Sequence, residues 1–305
     1  MSGERALTTV GGPEGWSKVS IVGLGVIGGS MARALRERLP SVQLVGIDRA
    51  EVVASGAPRA LVGECVVDSD VDAVQRAFAG SDLVFLAAPI RGIQRWLAPA
   101  LASGALVTDC GSTKRELTQA AHALPRGARF VPGHPMAGAG AARAAARADL
   151  FEGRPWVLCP DGVDPAALAA VEALVERVGA RPVRMSAAEH DRAVALTSHA
   201  PRLVSSALTT LVERAGAFDA AGPAFERLMR GAGGEPEMWR DVLQTNADEI
   251  ARALRALLAE LQACADQLER SELEHSLGTL AAAERARRLR EAQPSPPPRR
   301  DGAAR

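Results

Sequence analysis

A short apolar run at residues 19–22 feeds directly into Gly23-Leu-Gly25-Val-Ile-Gly28, and a helical pattern follows at once. No other stretch leaves so few folds open to this chain. Glycines at this spacing, between a strand and a helix, make the turn of a dinucleotide-binding βαβ unit. Gly23 allows the tight turn, Gly25 lets the backbone approach a pyrophosphate, and Gly28 lets the helix pack on the strand. The amides that open the helix, at Val26 and Ile27, face the phosphates. Asp48 ends the second strand, about twenty residues after Gly28, where an acidic side chain accepts bonds from the adenosine ribose hydroxyls. A carboxylate there also repels a 2′-phosphate, which favours NAD over NADP. Arg49 beside it is a group that can hold such a phosphate. Ala87-Ala88-Pro89 closes a later strand at the carboxyl edge of the sheet. It either runs along the dinucleotide or simply turns the chain into the next helix.

The first half repeats this alternation. Residues 43–47, 83–87, 106–108 and 130–131 read as buried strands, with helical stretches between them. Continuous apolar strands alternating with helices predict an α/β fold, a Rossmann-type parallel sheet. Residues 156–159, a helix over 165–178 and residues 181–184 are expected to extend the same sheet. After Met185 the strand signal stops. Residues 186–215 and 236–289 read as long helices, joined by an irregular stretch at 216–235. The expected division is an N-terminal extension (1–17), a dinucleotide-binding domain (18–185), an all-α helical domain (186–292) and a disordered Pro- and Arg-rich tail (293–305). The helices are longer than one small domain needs, which points to packing against another subunit.

Charge narrows the function. Lys plus Arg and Asp plus Glu each number 36, so the net charge is zero. Nucleic-acid affinity comes mainly from excess basic side chains, so a polyanion binder is not expected. The chain has no Tyr and only 3% aromatic residues, which leaves few platforms for stacking on single strands. Cys65, Cys110, Cys159 and Cys264 are scattered, with neither the pairing of a disulfide framework nor the spacing of a metal site. The N-terminus has no apolar signal core, and no apolar run is long enough to span a bilayer. A cytoplasmic protein without metal is the expectation.

Two motifs follow successive strands at the carboxyl edge: Asp109-Cys-Gly-Ser112-Thr-Lys114 and Gly133-His134-Pro-Met-Ala-Gly138. His134 lies on a loop bounded by Gly and Pro, and a near-neutral imidazole suits proton transfer. Ser112 either orients His134 by a hydrogen bond or caps a helix beginning near Thr113. Lys114 and Asp109 read as local structural or surface charges. Further on stand His190-Asp191 and Thr197-Ser198-His199-Ala-Pro201-Arg202, with His199 and Arg202 three apart on one helix face. Arg230 precedes Gly-Ala-Gly-Gly, and Met238-Trp239-Arg240 lies beyond. An Arg on an irregular loop suits a carboxylate. Each of these side chains is either a pocket residue or a solvated or capping one.

With these motifs in order, the chain from about Lys18 to about Leu289 resembles the prephenate and arogenate dehydrogenases. The resemblance implies oxidative decarboxylation of prephenate to 4-hydroxyphenylpyruvate, or of arogenate to tyrosine, with NAD or NADP as hydride acceptor. It implies that His134 assists loss of the ring 4-hydroxyl proton and that Ser112 orients the reacting group. Arg230 then binds a substrate carboxylate, and His190, Ser198 and His199 surround the pocket. Trp239 matches a tryptophan near the pocket, although it suits core packing equally. The helical domain matches one that forms homodimers. Two departures stand out. Arg202 replaces a histidine common in prephenate-using members, adding a cation where a side-chain carboxylate binds. Ala139 and Gly140 replace a hydroxyl residue and a glutamate, which puts feedback binding of tyrosine in doubt. An amino analogue of prephenate is an alternative substrate, but it carries no 4-hydroxyl for His134. A β-hydroxyacid dehydrogenase of the usual kind needs a helical-domain lysine, and no lysine follows Lys114.

Overall fold

The computed structural model describes residues 11–138 and 145–292. The expected tail at 293–305, the first ten residues of the N-terminal extension, and Ala139 and Gly140 lie outside the described residues. The first βαβ unit is β1 (Lys18–Val22), α1 (Val26–Arg38) and β2 (Gln43–Asp48). The chain continues through α2 (Ala50–Ala54), β3 (Glu64–Val67), α3 (Val71–Phe78), β4 (Leu83–Leu86) and α4 (Ile90–Ala102). Then come β5 (Leu106–Asp109), α5 (Arg115–His122) and β6 (Phe130–Val131). These six strands form one parallel sheet in the order β3-β2-β1-β4-β5-β6. The strand order reverses between β1 and β4, so the carboxyl ends of these two strands flank the crevice where such sheets take ligands.

The strands are apolar throughout because both faces are covered. All four residues of β4 are buried. One face packs Ile21, Met31, Leu35, Phe85 and Trp156 into a common core. The other packs Val22, Phe78, Val84, Trp96 and Leu117. The strand β3 escapes a reading based on apolar runs. It is an edge strand of four residues, Glu-Cys-Val-Val, of which only Val66 is buried.

The expected extension of the sheet is corrected by the structure. Three strands, β7 (Gly133–Pro135), β8 (Pro155–Leu158) and β9 (Arg181–Arg184), form a separate sheet, with α6 (Pro165–Arg177) between the last two. In it β7 runs antiparallel to β8. Pro132 explains the break, since it has no N–H to continue the parallel ladder. The next amide, Gly133 N–H, donates to Asp109 Oδ1 at 2.9 Å. His134 is therefore on a short strand, not on a loop.

The helical part opens with α7 (Ala187–Val194), a π-helical turn over Ala195–His199 and α8 (Ala200–Arg214), which together form one rod. Pro201 has no N–H for the preceding turn, and a π turn absorbs the mismatch. Next come α9 (Pro223–Met229), α10 (Pro236–Thr245), α11 (Ala247–Glu269) and α12 (Glu274–Ala292). The single helix expected over 236–289 is thus broken twice. At Asn246 the backbone turns out of the helix, with φ −136°, while the side chain bonds elsewhere. At Ser271 the chain enters the left-handed region, with φ 58°. Only a small core forms here, around Ala195, Ala200, Ile250 and Ala253. Leu258, Leu261, Leu268, Leu273, Leu277, Leu280 and Leu289 remain 51–69% exposed. No helix among the described residues is long and apolar enough to cross a membrane.

Candidate active site

At the carboxyl end of β1, Gly23 adopts φ 87°, and a Cβ there would collide with the Ala87 carbonyl. A Cβ on Gly28 would collide with the Gly23 carbonyl. A Cβ on Gly25 would meet nothing within 4 Å, so this glycine borders open space at the N-cap of α1. Val26 and Ile27, the first helical residues, are half-buried. Two glycines thus close the turn and the third leaves a cradle. Asp48 Oδ2 accepts from the Leu24 amide at 2.6 Å, and Oδ1 accepts from the Arg49 amide at 2.7 Å. This half-buried carboxylate fastens the glycine loop and keeps lone pairs for ribose hydroxyls. The Arg49 side chain is exposed. Ala88 is half-buried beside the loop, and Pro89 is exposed at the N-cap of α4.

Deeper in the fold, Asp109 and Lys114 are fully buried and paired with each other, so of the two readings, local structural or surface charges, they take the structural one. Asp109 Oδ2 also accepts from Gly111 N–H at 2.7 Å, and Lys114 Nζ donates to the Gly133 carbonyl at 2.8 Å. Together with the Gly133 amide bond to Oδ1, the pair clamps both polar groups of the residue before His134.

The helix α5 starts at Arg115 with Lys114 at its N-cap, and Ser112 does not cap it. Its N-terminal amides are taken by a carboxylate 77 and 76 residues away: Asp191 accepts from Lys114 N–H at 2.8 Å and Arg115 N–H at 3.0 Å. Asp191 Oδ1 also lies 2.8 Å from His190 Nδ1. His190 Nε2 lies 2.9 Å from His134 Nδ1. Ser112, half-buried, makes no hydrogen bond to His134 among the described side chains; His190 occupies that role.

The proton positions follow from partners of fixed polarity. Burial raises the Asp191 carboxyl, but bonds from His190 and from the Arg115 and Lys114 amides outweigh it and hold it below its ordinary range. Asp191 is therefore an acceptor, His190 carries its proton on Nδ1, and His190 Nε2 accepts from His134 Nδ1–H. His134 Nε2 is left with a free lone pair. Burial, reinforced by His190 and Lys114, holds the His134 pKa well below 6.5, so the ring is neutral and its Nε2 is open to accept. Burial lowers the His190 pKa as well, and lowers that of His199 to about 4.

The sign of the resulting pH dependence is definite. The unfolded chain binds protons at these three imidazoles below about 6.5, while the folded chain refuses them. Their contribution to stability is therefore full above about pH 6.5 and is lost as the pH falls toward the folded values. The urea midpoint is expected to fall steadily from about pH 7 to about pH 5. A flat or rising midpoint over that interval would contradict the neutral burial of these rings.

The other expected residues divide into two groups. His199 is 2% exposed and meets the edge of Trp239, with ring centroids 5.9 Å apart. The Arg202 guanidinium lies 5.3 Å from the Trp239 ring, and its Nη1 donates to the Ala232 and Gly233 carbonyls at 3.3 and 3.0 Å. Arg202 thus braces the glycine-rich loop after Arg230. Arg230 itself, at the C-cap of α9, and Ser198, in the π turn, are exposed, and among the described residues neither is hydrogen-bonded to the imidazole chain. Arg115 and Asn246 belong to the site but carry no mark in the sequence, and Asp191, noted beside His190, has no role assigned by it. Burial pushes the Cys110 and Cys159 thiols up to about 12, so neither is a thiolate.

The sequence model of the prephenate dehydrogenase nucleotide-binding domain matches residues 31–184, and that of the prephenate dehydrogenase dimerization domain matches residues 186–282. The chain is 33% identical over 255 residues to the cyclohexadienyl dehydrogenase of Zymomonas mobilis, covering 80% of this chain and 86% of that one. It is 32% identical over 274 residues to the prephenate dehydrogenase of Bacillus subtilis, covering 84% and 71%. The crystal structure of Aquifex aeolicus prephenate dehydrogenase with hydroxyphenyl propionate and NAD+ superposes with a TM-score of 0.80 at 26% identity, covering 90% of this chain and 98% of that one.

Proposed function

The chain belongs to the prephenate and arogenate dehydrogenase family, and on that premise we propose that it oxidatively decarboxylates prephenate to 4-hydroxyphenylpyruvate with NAD. The observation that carries this reading is the Asp191–His190–His134 chain, which leaves a neutral imidazole with a free Nε2. A base of that kind suits a substrate that must lose a hydroxyl proton.

NAD fits the residues present: the open cradle at Gly25, the amides of Val26 and Ile27, and the Asp48 carboxylate. When bound, NAD supplies the hydride acceptor. The chain's own groups handle the proton and the anions. His134 Nε2 takes the 4-hydroxyl proton as the C4 hydrogen departs as hydride and the ring carboxylate leaves as CO₂, and it returns that proton to the phenolate oxygen of the aromatic product. The electron pair of the broken carbon–carboxylate bond completes the aromatic ring. The imidazolium formed on His134 is stabilised through His190 by the Asp191 carboxylate. Ser112 follows β5, and its hydroxyl makes no hydrogen bond among the described residues, which leaves it available to orient the reacting group. Arg230, Ser198 and His199 provide polar groups for the substrate carboxylates.

Arg202 favours prephenate over arogenate, since it adds a cation and the amino group of arogenate brings its own. The exposed leucines of α11 and α12 support a homodimer, because a single chain leaves that apolar surface in water. The test is a two-by-two comparison of initial rates, prephenate and arogenate against NAD and NADP, read by absorbance of the reduced nicotinamide. Prephenate with NAD is expected to be fastest. Preference for arogenate would overturn the substrate and leave the chemistry. Preference for NADP would overturn the reading of Asp48.

A further inference from the structure

Asn246 is fully buried at the junction of α10 and α11, and each of its polar atoms meets a partner of fixed polarity. Its Oδ1 accepts from Arg115 Nη2 at 3.0 Å, and a guanidinium only donates. Its Nδ2 donates to the Asp191 carbonyl at 2.8 Å, and a carbonyl only accepts. The orientation of the amide is thereby settled on both sides. The remaining N–H of Nδ2 is directed to His199 Nδ1 at 3.3 Å. That nitrogen must be the acceptor, so the proton of neutral His199 sits on Nε2.

We propose that Asn246, anchored by Arg115, is a positioning residue that holds His199 in its Nε2–H tautomer, so that His199 acts as a neutral hydrogen-bond donor to substrate while His134 acts as the acceptor. The inference rests on the dehydrogenase reading for the word substrate, but the tautomer does not. The two imidazoles are set oppositely from one root. Arg115 bonds both Asp191, which starts the chain to His134, and Asn246, which sets His199. A neutral donor suits an anionic substrate oxygen, and it leaves the proton-accepting role to His134 alone. Asp191 and His190 face His199 from α7, Trp239 faces it from α10, and Arg115 lies behind Asn246 on α5. With the ring's pKa at about 4, neutral pH leaves His199 uncharged.

The test uses the full chain with ¹⁵N-labelled histidine rings. The chain has five histidines, and His199→Asn assigns the His199 signals by their loss. In the unmodified protein at neutral pH, His199 is expected to show a protonated Nε2 and a bare Nδ1. A protonated Nδ1, or a charged ring, would overturn the proposal without any variant having to fold. In Asn246→Asp, the carboxylate can only accept, so the His199 proton is expected to move to Nδ1 or the ring to become charged. In the same variant kcat/KM is expected to fall about tenfold, the loss of roughly one hydrogen bond, with NAD binding retained. An unshifted tautomer, or a shift with unchanged kcat/KM, would overturn the positioning role. Failure of the unmodified protein to turn over prephenate or arogenate, with the Nε2–H tautomer observed, would instead sink the dehydrogenase reading and leave the tautomer assignment standing.

Discussion

Replacing His134 by asparagine is expected to lower kcat by about 10²–10⁴-fold, the span of one acid–base group, while leaving NAD affinity nearly unchanged. Asparagine keeps a polar side chain of similar reach, and its amide can still bond His190. It cannot take a proton at the position of Nε2. The separation of effects follows from the fold. The cradle of Gly23, Gly25 and Gly28 lies at the end of β1 and is anchored by Asp48 from β2, while His134 sits on β7 in the second sheet. Steady-state kinetics and NAD titration by fluorescence check both halves. A loss below about tenfold would mean that His134 is not the base. A parallel loss of NAD binding would mean that the variant had disturbed the fold rather than the chemistry.

Replacing Lys114 by methionine is expected to destabilise the protein by about 3–5 kcal/mol at neutral pH, the cost of stranding a buried charge. Methionine approximates the volume of the lysine stem but leaves the Asp109 carboxylate without its cation, in a place where neither side chain reaches water. The Gly133 carbonyl loses its donor in the same step. A shift of the urea midpoint, read with the slope, measures the loss. Adding Asp109→Asn is expected to recover a large part of it, because no charge then remains buried while the amide oxygen can still accept from Gly111 or Gly133. A single-variant loss below about 1 kcal/mol would contradict a buried ion pair. Activity is expected to suffer along with stability, since the pair clamps the residue before His134.

These two residues also mark where the sequence could and could not be read. His134 stood out locally, as a histidine between Gly133 and Pro135 after a strand. The same Pro-bounded setting reads as a loop but forms a strand, because Pro132 ends one ladder and only the distant β8 supplies the partner for the next. Lys114 reads equally as a local structural or a surface charge. Nothing within five residues announces that Asp109 will be sealed beside it, or that both will be covered by β7.

The sequence by itself determined the parallel sheet, the dinucleotide cradle and the identity of the imidazoles. Each of these is written in short-range patterns: apolar runs buried on both sheet faces, glycines two and five positions after the one that makes the turn, a histidine next to a breaker. Only the tertiary structure decided how the imidazoles are wired. Asp191 reaches Lys114 across 77 residues, and Asn246 reaches Asp191 across 55. A polar side chain carries no local mark of burial or of which partner will fix its proton. Those properties arise when separate elements exclude water around it, where an unmatched donor or acceptor is costly and only complementary partners persist.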